Sequence, residues 1–398
     1  MSGTGFPRVM REDTKRIKFR KEKKTGRRPG RLPVCQEAPG GVCFCSGPGR
    51  YGLAQELFSV YTWNASDKRY NENIGMRGNF MNREEFIRLT QEKPFLLDGA
   101  MGSNLILAGM PRGVCSEQWI LEHPQVVEEL QRAYMEAGSQ AVYAPTFMAN
   151  RISLDNLGLA DQVERFNREI PKISRRAVGD RILVAGDMTT CGKMLEPGGP
   201  ISHDELFAAY AEQVRLLTEA GVDFIIGETL LYEEEALVLL DAAASVTDTA
   251  VCCSFTVEGD GTLPFGGNVV DAVASAEIMG AAAAGINCSM GPDQALAVVR
   301  NMSERLSIPV IAKLNAGMPD ISDTGEVVYS MDEEKFAYYM EKLLDAGASV
   351  VGGCCGTTPA YIAALKKVID RRTAGRKNVD EKAADKRISD KKNADKEM

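Results

Sequence analysis

Residues 349–359 read SVVGGCCGTTP, a short apolar run that ends in two adjacent cysteines set among glycines. Runs of the same kind recur upstream: PVIAKLNA from Pro309, AGINCSM from Gly285 or one residue earlier, AVCCSFTV from Ala250, DFIIGETL from Asp223, RILVAGDM from Arg181, AVYAPTF from Ala141 and FLLDGA from Phe95. Amphipathic stretches separate them, such as SEQWILEHPQVVEELQRAYMEAG, which opens on Ser116 as a candidate cap and closes at Gly138. Apolar strands alternating with helical patterns give βα units and a parallel sheet. Eight such strands, roughly 25 to 45 residues apart, is the count that closes a barrel, whereas an open doubly wound sheet usually stops nearer six. The predicted fold class is therefore α/β, a (β/α)8 TIM barrel.

Outside the patterned region the chain changes character. Residues 1–80 hold the basic run RIKFRKEKKTGRRPGR and then a Gly-, Pro- and Cys-containing stretch without sustained period, and are predicted to be a disordered extension. The spacing of Cys35, Cys43 and Cys45 in it matches no standard metal site. Patterned sequence starts at Met81, which is a candidate natural start. The barrel is predicted over residues 81–372, with a last helix from about Pro359 to Asp370. Residues 373–398 read as a charged tail in which Asp-Lys recurs at Asp385, Asp390 and Asp395.

Composition narrows the function classes. Hydrophobic residues make up 44% of the 398 and charged residues 26%, an ordinary soluble balance. No apolar run approaches the roughly 20 residues of a membrane helix, and no apolar stretch follows the basic start as a secretory signal requires. The expected location is the cytoplasm. Residues 1–31 carry 12 Lys or Arg against 3 acids and residues 371–398 carry 10 against 6, so the formal charge of −8 leaves the body near −21. So acidic a body is a poor partner for a phosphate backbone, and neither nucleic acid nor membrane is an expected partner. In a chain of this length the ten cysteines point to metal, catalytic or packing roles rather than disulfides, and with only His123 and His203 present any metal site leans on thiolates.

Active sites of such barrels lie at the carboxyl ends of the strands. Strand six ends in Asn287, Cys288 and Ser289, strand seven in Asn315, Ala316 and Gly317, and strand eight in Gly353, Cys354, Cys355 and Gly356. Cys288, Cys354 and Cys355 are therefore candidate ligands of a catalytic Zn²⁺, which takes three protein ligands and leaves a fourth position open. Consecutive strand residues point to opposite faces, so Cys354 and Cys355 share a metal only if the strand breaks there, as the flanking glycines permit. Cys252 and Cys253, inside strand five, read as small buried apolar residues. A glycine-rich GGCCGTTP could alternatively cradle phosphate in a phosphosugar enzyme with Lys313 as a Schiff-base amine, though paired cysteines add nothing to such a cradle. Three thiolates on a divalent ion make a weak activator of water but a good holder of a substrate thiolate, kept deprotonated and still nucleophilic.

With LLDGAMGS from Leu96, APTF of strand two, GETL of strand four, GINCSMGP, LNAGMP and GGCCGTTP in place, the segment from about Met81 to Asp370 resembles the homocysteine S-methyltransferases, and most of all the homocysteine-binding domain of cobalamin-dependent methionine synthase. The resemblance implies that Cys288, Cys354 and Cys355 hold zinc, with Asn315 completing the shell before substrate arrives. It implies Glu228 as acceptor for the homocysteine ammonium, and Asp98, Gly99, Ala100 and Thr146 as pocket residues around the amino acid; catalysis needs no residue beyond the zinc site. Thr229 stands where betaine-using relatives carry Tyr, which is similar to the cobalamin-linked branch. No corrinoid or folate module is recognisable after the barrel, so methylcobalamin is expected on a partner protein. The expected activity is transfer of a methyl group to homocysteine to form methionine. The alternatives are another small thiol as acceptor, or a non-catalytic subunit of a corrinoid methyltransferase complex.

Overall fold

The computed structural model describes residues 80–91, 93–321 and 327–375; most of the basic extension, with Cys35, Cys43 and Cys45, and the tail beyond residue 375 lie outside the described residues. Helix α1 (Arg83–Gln91) precedes strand β1 (Phe95–Leu96). There follow α2 (Gly102–Leu107), α3 (Ser116–Glu122), α4 (Pro124–Ala137), β2 (Ala141–Ala144), α5 (Arg151–Asp155), α6 (Val163–Val178), β3 (Leu183–Thr189), α7 (His203–Glu219), β4 (Phe224–Leu230), α8 (Glu233–Ala244), β5 (Val251–Phe255), α9 (Val269–Ile278), β6 (Ala283–Cys288), α10 (Leu296–Arg305) and β7 (Val310–Leu314). An antiparallel hairpin of β8 (Pro319–Ile321) and β9 (Val327–Tyr329) leads to α11 (Glu333–Asp345), β10 (Ala348–Gly353) and helix α12, residues 359–375. Eight of the strands pair in parallel in the order β1, β10, β7, β6, β5, β4, β3, β2. All eight are those read from the sequence, and the fold is the TIM barrel predicted.

The seam between β1 and β2 is held by single bonds rather than a ladder. Gln140 N–H donates to Leu96 O at 2.7 Å, its Oε1 accepts from Leu96 N at 3.1 Å, and Asp98 Oδ2 accepts from Tyr143 N at 2.9 Å. Alternation along the strands divides the core in two. Outward residues such as Val142, Val184, Ile225, Cys253 and Ile286 pack under the helices, while Phe95, Leu97, Ala185, Phe224, Ile226, Cys252 and Ile311 fill the barrel. Phe86 of α1 joins the inner set from below, its ring 5.8 Å from Phe95 and 5.1 Å from Phe224. Met81 fixes this plug: its N–H donates to Asp223 O at 2.9 Å and its carbonyl accepts from Ala250 N at 2.7 Å.

Four local features depart from the sequence reading. The helix predicted as one piece from Ser116 divides at His123, because Pro124 disfavours helical angles in the residue before it and itself suits a first helical position. Cys115, not Ser116, occupies the cap position, and Ser116 Oγ donates instead to Glu117 at 2.9 Å. The last helix runs past Asp370, where Arg371 and Arg372 reach Glu341 at 2.8 Å and Asp345 at 2.7 Å on α11. The hairpin was not foreseen at all. Among the described residues no helix is long and apolar enough to cross a membrane.

Phe86→Ala should cost about 3–5 kcal/mol of unfolding free energy, the usual toll for emptying a core aromatic site. Denaturant unfolding checks this; an effect below about 1 kcal/mol would mean that α1 is not part of the cooperative barrel.

Candidate metal and substrate site

At the carboxyl ends of β6 and β10 three cysteines converge. The Sγ atoms of Cys288, Cys354 and Cys355 lie within 4.8 Å of one another, with Cys288 to Cys355 at 3.7 Å, and all three are free thiols. Bringing them together requires unusual backbone. Cys288 (φ 54°) and Ser289 (φ 62°) are both left-handed, as is Thr229 (φ 59°) at the end of β4. Each such residue costs on the order of 1–3 kcal/mol unless its surroundings hold it.

The surroundings do hold it. Ser289 Oγ accepts from Val257 N at 2.8 Å, shares a bond with Thr256 Oγ1 at 2.7 Å and donates to Asn287 O at 3.0 Å. Asn287 Oδ1 accepts from Thr229 N at 2.7 Å and Ser254 Oγ at 2.8 Å, and its Nδ2 donates to Thr229 Oγ1 at 2.7 Å. One buried amide thus joins the ends of β4, β5 and β6. The ladder of β10 stops at Gly353; Cys354 N then donates to Leu314 O at 2.6 Å and Cys355 O accepts from Ala316 N at 2.9 Å. Gly356 makes the turn at φ 80°, whereas Gly353 is needed because a Cβ there would collide with Thr357.

Below the thiols the barrel interior turns from apolar to charged. Asp98, Asp187, Glu228 and Lys313 are 1%, 5%, 8% and 4% exposed. Lys313 Nζ stands 3.5 Å from Asp98 Oδ1, an ion pair without hydrogen-bond alignment, and 4.6 Å from the centre of the Tyr143 ring. Asp98 Oδ1, Asp187 Oδ1, Glu228 Oε2 and Asn315 Oδ1 are buried with no hydrogen-bond partner among the described residues. Burial pushes all three carboxyls above their ordinary range; the Glu228 charge adds to the rise at Asp187, and Lys313 opposes it at all three. Burial alone would lower the Lys313 ammonium, but Glu228 and Asp98 outweigh it and hold it up.

The other residues implied by the resemblance are placed differently. Gly99 gives close approach, since a Cβ would press on Tyr134 and Thr357. Ala100 N–H donates to Thr357 Oγ1 at 3.0 Å and its carbonyl accepts from Tyr134 at 2.7 Å. Thr146 Oγ1 donates to Asp187 O at 2.7 Å. The polar groups of Ala100 and Thr146 are thus engaged inside the protein, and the unpartnered ones belong to Asp98, Glu228, Asn315 and Asp187. Asp187 was passed over in the sequence although it is a charge inside an otherwise apolar strand. Asn287 and Ser289 were noted only as neighbours of a cysteine.

Comparison with known proteins agrees with this architecture. The family model described as homocysteine S-methyltransferase matches residues 95–369. Methionine synthase of Mycobacterium tuberculosis is 30% identical over 302 residues, 72% of this chain and 25% of that protein; the Mycobacterium leprae methionine synthase is 30% identical over 296 residues, 70% of this chain and 24% of the relative. The chain therefore spans about a quarter of the length of the curated relatives it matches. Among solved structures, the metallated form of the Escherichia coli homocysteine methyltransferase MmuM superimposes with a TM-score of 0.59 at 24% identity, covering 70% of this chain and 98% of that one. Fold and family model together define the class, a TIM barrel of a methyltransferase family. Within that class the chain belongs to the homocysteine S-methyltransferase family.

A carboxyl whose pKa is higher in the folded than in the unfolded chain binds its proton more tightly when folded. It supports the fold at acid pH, and that support is lost as pH rises through the folded value. Asp187→Asn should therefore raise Tm at pH 7–8, by about 2 °C or more for each kcal/mol recovered, with the gain shrinking towards pH 4. A variant that melts lower at neutral pH would contradict the charge strain inferred here.

Proposed function

We propose that the chain is a zinc-dependent homocysteine S-methyltransferase, which takes a methyl group from a methylcorrinoid carried by a separate protein and forms methionine. The observation that carries this reading is the thiol cluster. Sulfurs bound tetrahedrally at about 2.3 Å lie about 3.8 Å apart, and Cys288 to Cys355 is 3.7 Å. The donor set, three cysteines at the open end of a barrel, suits zinc with one position left for substrate. The unpartnered Asn315 Oδ1 is a further oxygen donor beside it.

Zinc would supply the positive charge that keeps a substrate thiol deprotonated near neutral pH. The protein supplies the rest. Cys288, Cys354 and Cys355 hold the ion, and the Asn287 and Ser289 network fixes their strand ends. Glu228, with its free Oε2, receives the substrate ammonium, in a pocket bounded by Asp98, Gly99, Ala100 and Thr146. The packed barrel interior beneath closes the pocket on that side with an apolar floor. The donor arrives from the open end, where Tyr329 lies against Gly356 and Met318, Ile321, Val327 and Val328 present apolar side chains to solvent. Residues 81–372 form the working unit in this reading, and the expected location is the cytoplasm.

Metal analysis and X-ray absorption on the purified full chain test the proposal. One zinc per chain with three sulfurs, gaining a fourth on addition of homocysteine, is the expected result, and Cys288→Ser should lose both zinc and methyl transfer. A chain that takes up no zinc, or whose zinc ignores homocysteine, would sink it. The thiols also set a pH dependence. Hydrogen bonding from Cys354 lowers Cys288, but Cys355 and burial carry it up to about 11, and Cys355 is pushed up to about 12, chiefly by Cys354 against a lowering bond with Cys288. Cys354 is raised as well. Each must shed a proton on binding zinc, so affinity should fall steeply as pH drops, by roughly a hundredfold to a thousandfold per unit between pH 8 and 7. A slope near one proton would mean that fewer cysteines ligate.

A further inference from the structure

The ladder between β4 and β5 slips beside the site. Gly227 pairs with Cys253 and Leu230 with Phe255, so β4 uses one residue more than β5 over this stretch, and the slip falls on Glu228 and Thr229. A bulge of this kind re-aims side chains but leaves the extra residue without its sheet partner. Contact with β5 resumes beyond it, where Leu230 O accepts from Thr256 N at 3.1 Å.

Asn287 takes the place of the missing rung. Its Oδ1 accepts from Thr229 N at 2.7 Å and from Ser254 Oγ at 2.8 Å, and its Nδ2 donates to Thr229 Oγ1 at 2.7 Å. The side chain is fully buried, so a partner lost here is not replaced by solvent. Its main chain sits in an unbroken ladder, with Asn287 opposite Lys313 and Cys288 opposite Leu314 on β7. One amide therefore ties the residue after Glu228 to the residue before Cys288, with β5 between them.

The consequence is a fixed span. Under the function proposed above, Glu228 receives the substrate ammonium and Cys288 helps to hold the metal that takes the substrate sulfur. A thiol amino acid must reach both at once, and removing one methylene leaves one end short. That penalty lasts only while the two anchors are kept apart, because a strand end loosened by a bulge would follow a shorter ligand. Thr189 Oγ1 also holds the Glu228 carbonyl, at 2.8 Å, but it does so from β3, on the side of β4 away from Cys288.

We propose that Asn287 is a positioning residue that sets the span between metal and ammonium acceptor, and thereby makes the site select homocysteine over its shorter homologue cysteine. The proposal rests on the thiol-binding reading of the site given above. It adds a specificity determinant whose own bonds all lie inside the protein.

The test is calorimetric titration of the zinc-loaded full chain, freed of excess metal, with L-homocysteine and with L-cysteine, the bound zinc being counted before and after. The unaltered protein should prefer homocysteine by at least about tenfold, since one methylene is worth roughly tenfold to two-hundredfold in a rigid pocket. Asn287→Ala should narrow that preference at least about fivefold, by weakening homocysteine while leaving cysteine nearly unchanged. Equal weakening of both thiols would mark the amide as general scaffold, and an unchanged preference would detach it from the span; both overturn the proposal. Thr229→Val removes only the bond from Asn287 Nδ2 and should narrow the preference about twofold to threefold. It decides the matter if the Ala variant does not fold or take up zinc, and an unchanged preference there overturns the proposal as well. Equal binding of the two thiols by the unaltered chain would defeat the fixed span and leave the thiol reading intact, whereas binding of neither would defeat both.

Discussion

Buried negative charge at the mouth of the barrel outweighs the buried positive charge facing it, and the surrounding architecture is organised by that imbalance. Asp98, Asp187 and Glu228 share one cation, Lys313, in a space whose lower wall is Phe95, Ile226 and Ile311. An apolar floor gives no relief by solvation, so burial pushes the three carboxyls above their ordinary range, while Glu228 and Asp98 hold the Lys313 ammonium up. Directly above, three thiols crowd within 4.8 Å and rise in pKa for a related reason, since ionising one disfavours ionising the next. Both layers are short of positive charge that the chain does not provide. Under the proposed function a divalent ion and a substrate ammonium supply it, one to each layer, and the same molecule spans the two.

That arrangement depends on strand ends that an unsupported backbone would not adopt. Three left-handed residues, Thr229, Cys288 and Ser289, sit at neighbouring ends of β4 and β6. Asn287 joins two of these ends and β5 between them, through bonds of 2.7 to 2.8 Å made entirely inside the protein. The amide is therefore part of the scaffold, although it lies next to a cysteine in the chain. Its neutrality matters too: a carboxylate at this place would add to the surplus of negative charge around Glu228.

The eight strands and the cysteine trio were legible in the sequence because each rests on a local pattern. Short apolar runs mark strands, and cysteines at strand ends mark a face of the barrel. What escaped notice depends on relations between distant residues. The split at His123 is a single-residue effect of Pro124 against a strong amphipathic pattern. The β8 and β9 hairpin is short, with Pro319, Asp320 and Ile321 all exposed, and so lacks the buried alternation by which strands are read. Asp187 was hidden because an acid late in RILVAGDM looks like the end of a strand, and its significance appears only when register sets it opposite Ile226. The extra turn of α12 is held by Arg371 and Arg372 reaching α11, contacts between segments about 30 residues apart.

The barrel thus divides its labour by layer, with Phe86, Phe95 and Phe224 securing the closed end and the charged layer serving the open one. Asp98 is the exception to that division. One of its oxygens closes the seam between β1 and β2 through Tyr143 N, while the other faces Lys313 inside the pocket. Removing it would loosen the barrel and alter the pocket charge together, so a loss of binding there could not be assigned to either cause. Asp187 carries no such double burden, because its main-chain carbonyl, not its carboxylate, is what Thr146 holds. Its side chain can lose its charge with the strand still anchored, which makes it the residue through which the pocket's electrostatics can be separated from the integrity of the barrel.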